Sequence, residues 1–132
     1  MGDYVMSWRL QWAFAVIVLL LFVGCDRDPR VRAARHSEKA AAALEKKDTK
    51  AALIEVRAAL KDDPDNARAN YVSGMLNLES GFLPSAYRDF NHAIKVDPNM
   101  LDAHLALADL LLQAGDAQAA SEAIGIVLNN PT

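Results

Sequence analysis

The chain has 132 residues, room for one modest domain. A formal net charge of −3 gives a polyanion nothing to hold, so nucleic acid is not expected as a partner, and a single Cys excludes both an internal disulfide and a CxxC-type zinc site. Aromatic residues are only 7% of the chain and both Trp residues, Trp8 and Trp12, lie near its start, so the core must be built mainly from Ala, Leu, Ile and Val.

The first element is apolar. Trp12–Val23 is a run of twelve apolar residues preceded by Arg9. A membrane-spanning helix needs roughly 20 such residues, so the run fits the apolar region of a secretory signal peptide better than a span. Val23-Gly24-Cys25 follows it and resembles a bacterial lipobox, although Phe22 stands where such motifs favour Leu. The alternative is an ordinary membrane anchor with an incidental Cys. The resemblance implies a lipoprotein signal peptide over residues 1–24, lipidation (palmitate among the acyl chains) at Cys25, and a lipid-anchored tether over 25–32. Two or more acyl chains make a stable anchor where one is marginal. Asp26 resembles the residue that retains lipoproteins of enteric bacteria in the inner membrane. The implied location is the cell envelope, on the periplasmic side of the inner membrane, with the outer membrane as the alternative. Arg27, Arg30, Arg32 and Arg35 either rest on anionic head groups or form a solvated lead-in to a helix.

Beyond this point one pattern recurs every 34 residues. Pro64 and Pro98 are one period apart, as are Ala52, Ala86 and Ala120, and Val56, Phe90 and Ile124. Ala59 and Ala93 match, with Val127 in the third copy, and Gly74 has Ala40 and Ala108 at its equivalent places. Small and large residues phased in this way mark an array of helical repeats. Helices are predicted over 32–46, 49–62, 67–80, 84–96, 101–114 and 117–129. Gly81 and Gly115 suit chain reversal at helix ends, Asp48 and Asp116 suit N-caps, and Pro84 suits a first helical turn. A generic helical-hairpin domain would satisfy the apolar pattern alone but not the phased small residues.

The stretch from Asn70 to Pro98 resembles the tetratricopeptide repeat (TPR) family at Gly74, Ala86, Phe90, Ala93 and Pro98, and "KDDPDNARAN" and "KVDPNMLDAH" resemble its repeat junctions. The implied fold is all-α: a right-handed superhelical TPR solenoid of antiparallel helix pairs, about three repeats, over 33–132 (33–66, 67–100 and 101–132). The third repeat departs, since Pro131 comes one residue early. Ile124, Val127 and Leu128 would then lack a following repeat; a longer array, or a truncated relative of one, is expected, with docking of that face onto another copy or a partner as the alternative.

In this family the first helices of the repeats line a concave groove. Its ligand-contacting positions fall here on Ala34, Ser37, Ala41, Leu44 and Glu45 in the first repeat. The second contributes Arg68, Tyr71, Met75, Leu78 and Glu79, and the third Asp102, Leu105, Asp109, Leu112 and Gln113. The protein-binding groove is thus expected at Arg68, Tyr71, Met75, Leu78, Asp102, Leu105, Asp109 and Leu112. A Met and aromatic wall edged by charge suits a peptide or a partner helix. Some of these side chains could instead pack between the first helices. The family's carboxylate clamp for acidic C-terminal tails is missing, because its places read Ser37, Ala41, Val72, Asp102 and Ala106.

No enzyme activity is expected. His36, His92 and His104 are spread one to a repeat without metal-ligand spacing, and there is no phosphate loop or nucleophile elbow. Neither cofactor nor metal is called for. A lipobox followed by such repeats resembles bacterial TPR lipoproteins of exopolysaccharide and PEP-CTERM sorting systems. That resemblance implies a membrane-anchored periplasmic scaffold for protein–protein interactions in an envelope export or assembly system. A pilus or outer-membrane assembly lipoprotein, and a carrier of a lipid or polysaccharide intermediate, are the alternatives.

Overall fold

A computed structural model describes residues 28–129. The apolar run, Cys25 and Asp26 lie outside the described residues. Six helices follow one another in antiparallel pairs: α1 (Pro29–Glu45) with α2 (Thr49–Asp62), α3 (Ala67–Glu79) with α4 (Leu83–Val96), and α5 (Leu101–Gln113) with α6 (Ala117–Leu128). Among the described residues there is no strand, and no helix is long and apolar enough to cross a membrane.

Local chemistry sets most of the boundaries. The side chains of Asp48, Asn66 and Asp116 accept hydrogen bonds from the backbone N–H of Ala51, Ala69 and Ala119, at 2.9–3.1 Å. Each satisfies a donor that a helix start leaves unpaired. The first helix starts earlier than residue 32. Asp28 caps it by accepting from the Arg30 N–H at 2.9 Å, and Pro29 occupies the first turn, where its missing N–H removes no bond. Residues 29–32, assigned above to the tether, are therefore helical.

The turn inside each pair uses one geometry three times. Lys47, Gly81 and Gly115, spaced by 34, all have positive φ, at 57°, 77° and 83°. The following N–H returns to the carbonyl five residues back in each case, from Asp48 to Ala43, Phe82 to Asn77 and Asp116 to Leu111. Lys47 adopts the left-handed conformation without glycine's freedom, at a cost of roughly 1 kcal/mol. Junctions between repeats are also repeated. The Asn70 side-chain N–H donates to the Pro64 carbonyl at 2.9 Å, and the buried His104 Nε2–H donates to the Pro98 carbonyl at 3.0 Å.

Packing within a pair depends on small residues where the helices cross. In the second repeat, a Cβ placed on Gly74 would lie 2.5 Å from the fully buried Phe90 ring. A methyl has no room there. The first repeat solves the same crossing with Ala40 against Val56, both buried in one cluster. A smaller partner on the second helix allows a larger residue on the first. Polar ties reinforce the first two pairs. Arg32 donates two 2.9 Å bonds to the Asp62 carboxylate, and this guanidinium holds the Asp62 carboxyl below its ordinary pKa. His36 Nδ1 lies 2.6 Å from Glu55, while Ser73 and Asn77 both donate to Asp89. Glu55 and Asp89 are one period apart, and the third repeat has Ala123 in that place.

Between repeats, α1 and α3 pack together along much of their length, whereas α3 and α5 touch over a short stretch. Side-chain size explains the difference. On α1, Ala41 packs against the cluster formed by α1, α2 and α3, while on α3 the larger Tyr71, Met75 and Leu78 pack against the cluster of Ala86, Phe90, Leu107 and Leu110 on α4 and α5.

Two consequences can be measured by urea unfolding. Gly74→Ala should destabilise the domain by about 1–3 kcal/mol through overpacking. In a Phe90→Val background, which is itself destabilised, Gly74→Ala should cost less, giving a favourable coupling of about 0.5 kcal/mol or more in a double-mutant cycle. Phe82 holds the N-cap position of α4 with φ −85° and ψ 64°, near the −87° and 75° of Asp48, yet supplies no capping bond and is 62% exposed. Phe82→Asp should therefore raise stability by about 1 kcal/mol.

Candidate functional site

The first helices of the pairs enclose a cleft of about 180 Å³. Ala41, Leu44 and Glu45 of α1 form one side, Arg68, Tyr71 and Val72 of α3 the floor and second side, and Met100 and Asp102 close it at the start of α5. Tyr71 is central. It packs against both hydrophobic clusters, one formed by α1, α2 and α3 and the other by α3, α4 and α5, and its ring centroid is 6.2 Å from that of Phe90. Burial first, and then the nearby Asp102 charge, push the Tyr71 phenol above its ordinary pKa. Both effects disfavour the anion, and the cleft that Tyr71 lines is of mixed character, with Leu44, Val72 and Met100 beside the charged Glu45, Arg68 and Asp102.

The eight residues expected to line a groove divide into three groups. Arg68, Tyr71 and Asp102 meet in the cleft. Met75 and Leu78 are half-buried between α3 and α5 and serve packing. Leu105, Asp109 and Leu112 continue along the exposed side of α5, with Leu105 48% and Leu112 53% exposed. At 100° per residue, Asp102, Leu105, Asp109 and Leu112 share one helical face, so the stripe runs directly on from the cleft.

Ser37 does not line this surface. It is buried, and its hydroxyl donates to the Ala34 carbonyl at 2.8 Å. Val72 is fully buried as well, which removes a second place from any carboxylate clamp. Sequence reasoning missed Met100, which precedes α5 by one residue and so lies outside the repeating frame of contact positions. It also missed a wider cleft of about 300 Å³ on the second-helix side, where Tyr87 and Ile94 of α4 face Leu107 and Leu111 of α5 and Ala123 and Ile126 of α6.

The histidines have structural partners. His36 pairs with Glu55, His92 Nε2 lies 3.0 Å from Asp65, and His104 latches a repeat junction. Among the described residues no group of three or more His, Cys, Asp or Glu is placed to hold a metal ion.

This arrangement of helix pairs is that of the tetratricopeptide repeat. The TPR2B domain of yeast Sti1, solved as a complex with pHsp70, superposes with a TM-score of 0.64 at 22% identity, covering 72% of this chain and 76% of that one. MamA from Desulfovibrio magneticus RS-1, residues 41 to the end, gives a TM-score of 0.64 at 22% identity over 95% of this chain and 68% of its own. A double mutant of MamA RS-1 gives 0.65 at 24% identity over 97% and 66%. By sequence, the chain is 33% identical over 93 residues to a tetratricopeptide repeat and J domain-containing co-chaperone, DNJ1, of Fusarium oxysporum f. sp. lycopersici. The match takes in 70% of this chain and only 18% of that relative. No family model matches. The fold expected from the 34-residue period is therefore the one adopted.

The cleft geometry can be tested through Tyr71. In an alkaline titration of tyrosinate absorbance, the component missing from Tyr71→Phe should ionise above the ordinary tyrosine value. Asp102→Asn should lower that pKa part of the way, because burial is the larger cause and stays in place. Ionisation at the ordinary value would show that the cleft does not enclose the ring.

Proposed function

We propose that this protein is a membrane-tethered, periplasm-facing scaffold that holds a protein partner on its first-helix face within an envelope export or assembly system. The observation that carries the binding role is the continuity of the Tyr71 cleft with the Leu105–Leu112 stripe on α5. Leu105 and Leu112 extend the apolar part of the cleft along one rigid face, and an apolar surface next to a cleft is of the kind that partners cover. Protein binding also agrees with the Sti1 domain, which was solved as a complex with pHsp70, and with the fungal relative, a co-chaperone. No catalytic step is assigned, and the role of the chain is to position other molecules.

The tether rests on the sequence. Twelve apolar residues, then Gly24 and Cys25, supply an export signal and an acylation point, and Asp26 favours the inner membrane over the outer. A lipid-anchored repeat array restricts its partner to the membrane surface and raises the partner's effective concentration there.

Each half has its own experiment. Intact mass should show a chain that begins at Cys25 and carries acyl groups, and Cys25→Ala should abolish both processing and membrane retention. An unmodified, uncleaved mass would remove the tether. Affinity capture from envelope fractions should retain a protein that is lost with Leu105→Asp/Leu112→Asp and kept with Ile54→Asp, an exposed position on α2. Equal capture by both variants would remove the first-helix face as the binding site.

A further inference from the structure

The α5 stripe has a chemistry that the other first helices lack. In register, these places read Ala34, Ser37, Ala41 and Leu44 on α1, where Ser37 is buried, and Arg68, Tyr71, Met75 and Leu78 on α3, where Met75 and Leu78 pack against the core. On α5 the same places read Asp102, Leu105, Asp109 and Leu112, so carboxylate and leucine alternate at intervals of three and four residues. The two leucines are about half exposed, and their seven-residue separation corresponds to about 10.5 Å of helix.

Charge on this side is one-sided. Beyond Lys95 the chain contains no Lys or Arg, so nothing cationic on α5 or α6 neutralises the stripe. Asp109 accepts a 2.9 Å bond from the Gln113 amide, which holds the carboxylate in place without neutralising it. His104, on the same helix, is buried and committed to the Pro98 carbonyl. Where the stripe meets the cleft, Arg68 is the one cation that lines it among the described residues, beside Glu45 and Asp102.

We propose that the stripe and the adjoining cleft receive a cationic amphipathic helix of a protein partner, an inference that rests on the protein-binding reading above. Its apolar side chains would pack on Leu105 and Leu112, and its Lys or Arg side chains would meet Asp102 and Asp109. A helical occupant matches the spacing: residues three and four apart share one helical face and can lie along a stripe of the same period. In an extended strand, residues facing one way recur every second position and fall out of phase. Exposed ion pairs add little affinity each. Their main effect is selective, because an acidic segment would meet like charge along the whole stripe.

The test uses the full-length chain in nanodiscs of neutral phosphatidylcholine, with empty discs subtracted. It is titrated with two synthetic helices of about 18 residues, identical in their leucines and carrying either Lys or Glu between them. The Lys peptide should bind about tenfold or more tightly than the Glu peptide, and salt should narrow the gap. Asp102→Asn/Asp109→Asn should weaken the Lys peptide by about three- to tenfold. Asp102→Lys/Asp109→Lys should reverse the preference. Both aspartates are exposed, and circular dichroism of each variant verifies the fold. Equal or tighter binding of the Glu peptide, or no binding of the Lys peptide to folded protein, would overturn the inference. It would also fall if sedimentation showed a second copy of the chain held on this stripe and released by Leu112→Asp. If the Lys peptide fails while envelope capture still depends on Leu105 and Leu112, the groove reading stands without its cationic partner. If both fail, both readings fall.

Discussion

Everything in this structure depends on how closely two antiparallel helices approach at one crossing in each repeat. A small residue on the first helix (Ala40, Gly74, Ala108) occurs every 34 residues, and a larger one (Val56, Phe90, Ile124) follows 16 residues after each. The Gly74–Phe90 contact is the tightest form of this rule, with no room for a methyl group. Close approach brings the backbones together without long side chains. This lets a chain so rich in alanine still bury Ala40, Ala52, Ala86, Ala93 and Ala103 completely. Burying one alanine stabilises little. The domain gains instead from dense, repeated contact along every pair.

The same rule positions the candidate binding face. Since the crossing and the core use one side of each first helix, with Val72, Leu76, Leu107 and Leu110 buried there, the opposite side is free to vary. On α1 that side is mostly small, and α3 closes against it. On α3 it carries Tyr71, Met75 and Leu78, which hold α5 farther away and open the cleft. Tyr71 packs against both core clusters and lines the cleft, so core packing and the candidate binding surface share one side chain. The surface is therefore built on rigid helices, and a partner need not order a loop in order to bind.

The repeat, the six helices and two of their glycine turns were legible because each depends on residue types with few physical substitutes: a small residue at a crossing, Asp at a cap, Gly at positive φ. What stayed hidden lacked such a marker. Lys47 occupies the glycine position of its turn because the Asp48 cap and the returning backbone bonds impose the conformation. The extra turn of α1 depends on Asp28 and Pro29, which read equally well as part of a tether. At the candidate site, a helical frame places residues on a face but cannot say how far the next helix stands away. That separation decided that Met75 and Leu78 fill a seam while Leu105 and Leu112 remain open. Met100 and the α4–α6 cleft arise only once neighbouring repeats are stacked.

The central claim is that the first-helix face holds a protein partner at the membrane. It is tested most directly by in-cell photo-crosslinking from probes at Tyr71 and Leu112, with Ile54 on α2 as the comparison. The account predicts that one envelope protein is captured from Tyr71 and Leu112 and not from Ile54. Capture of only other copies of this chain, or equal capture from all three positions, would contradict it.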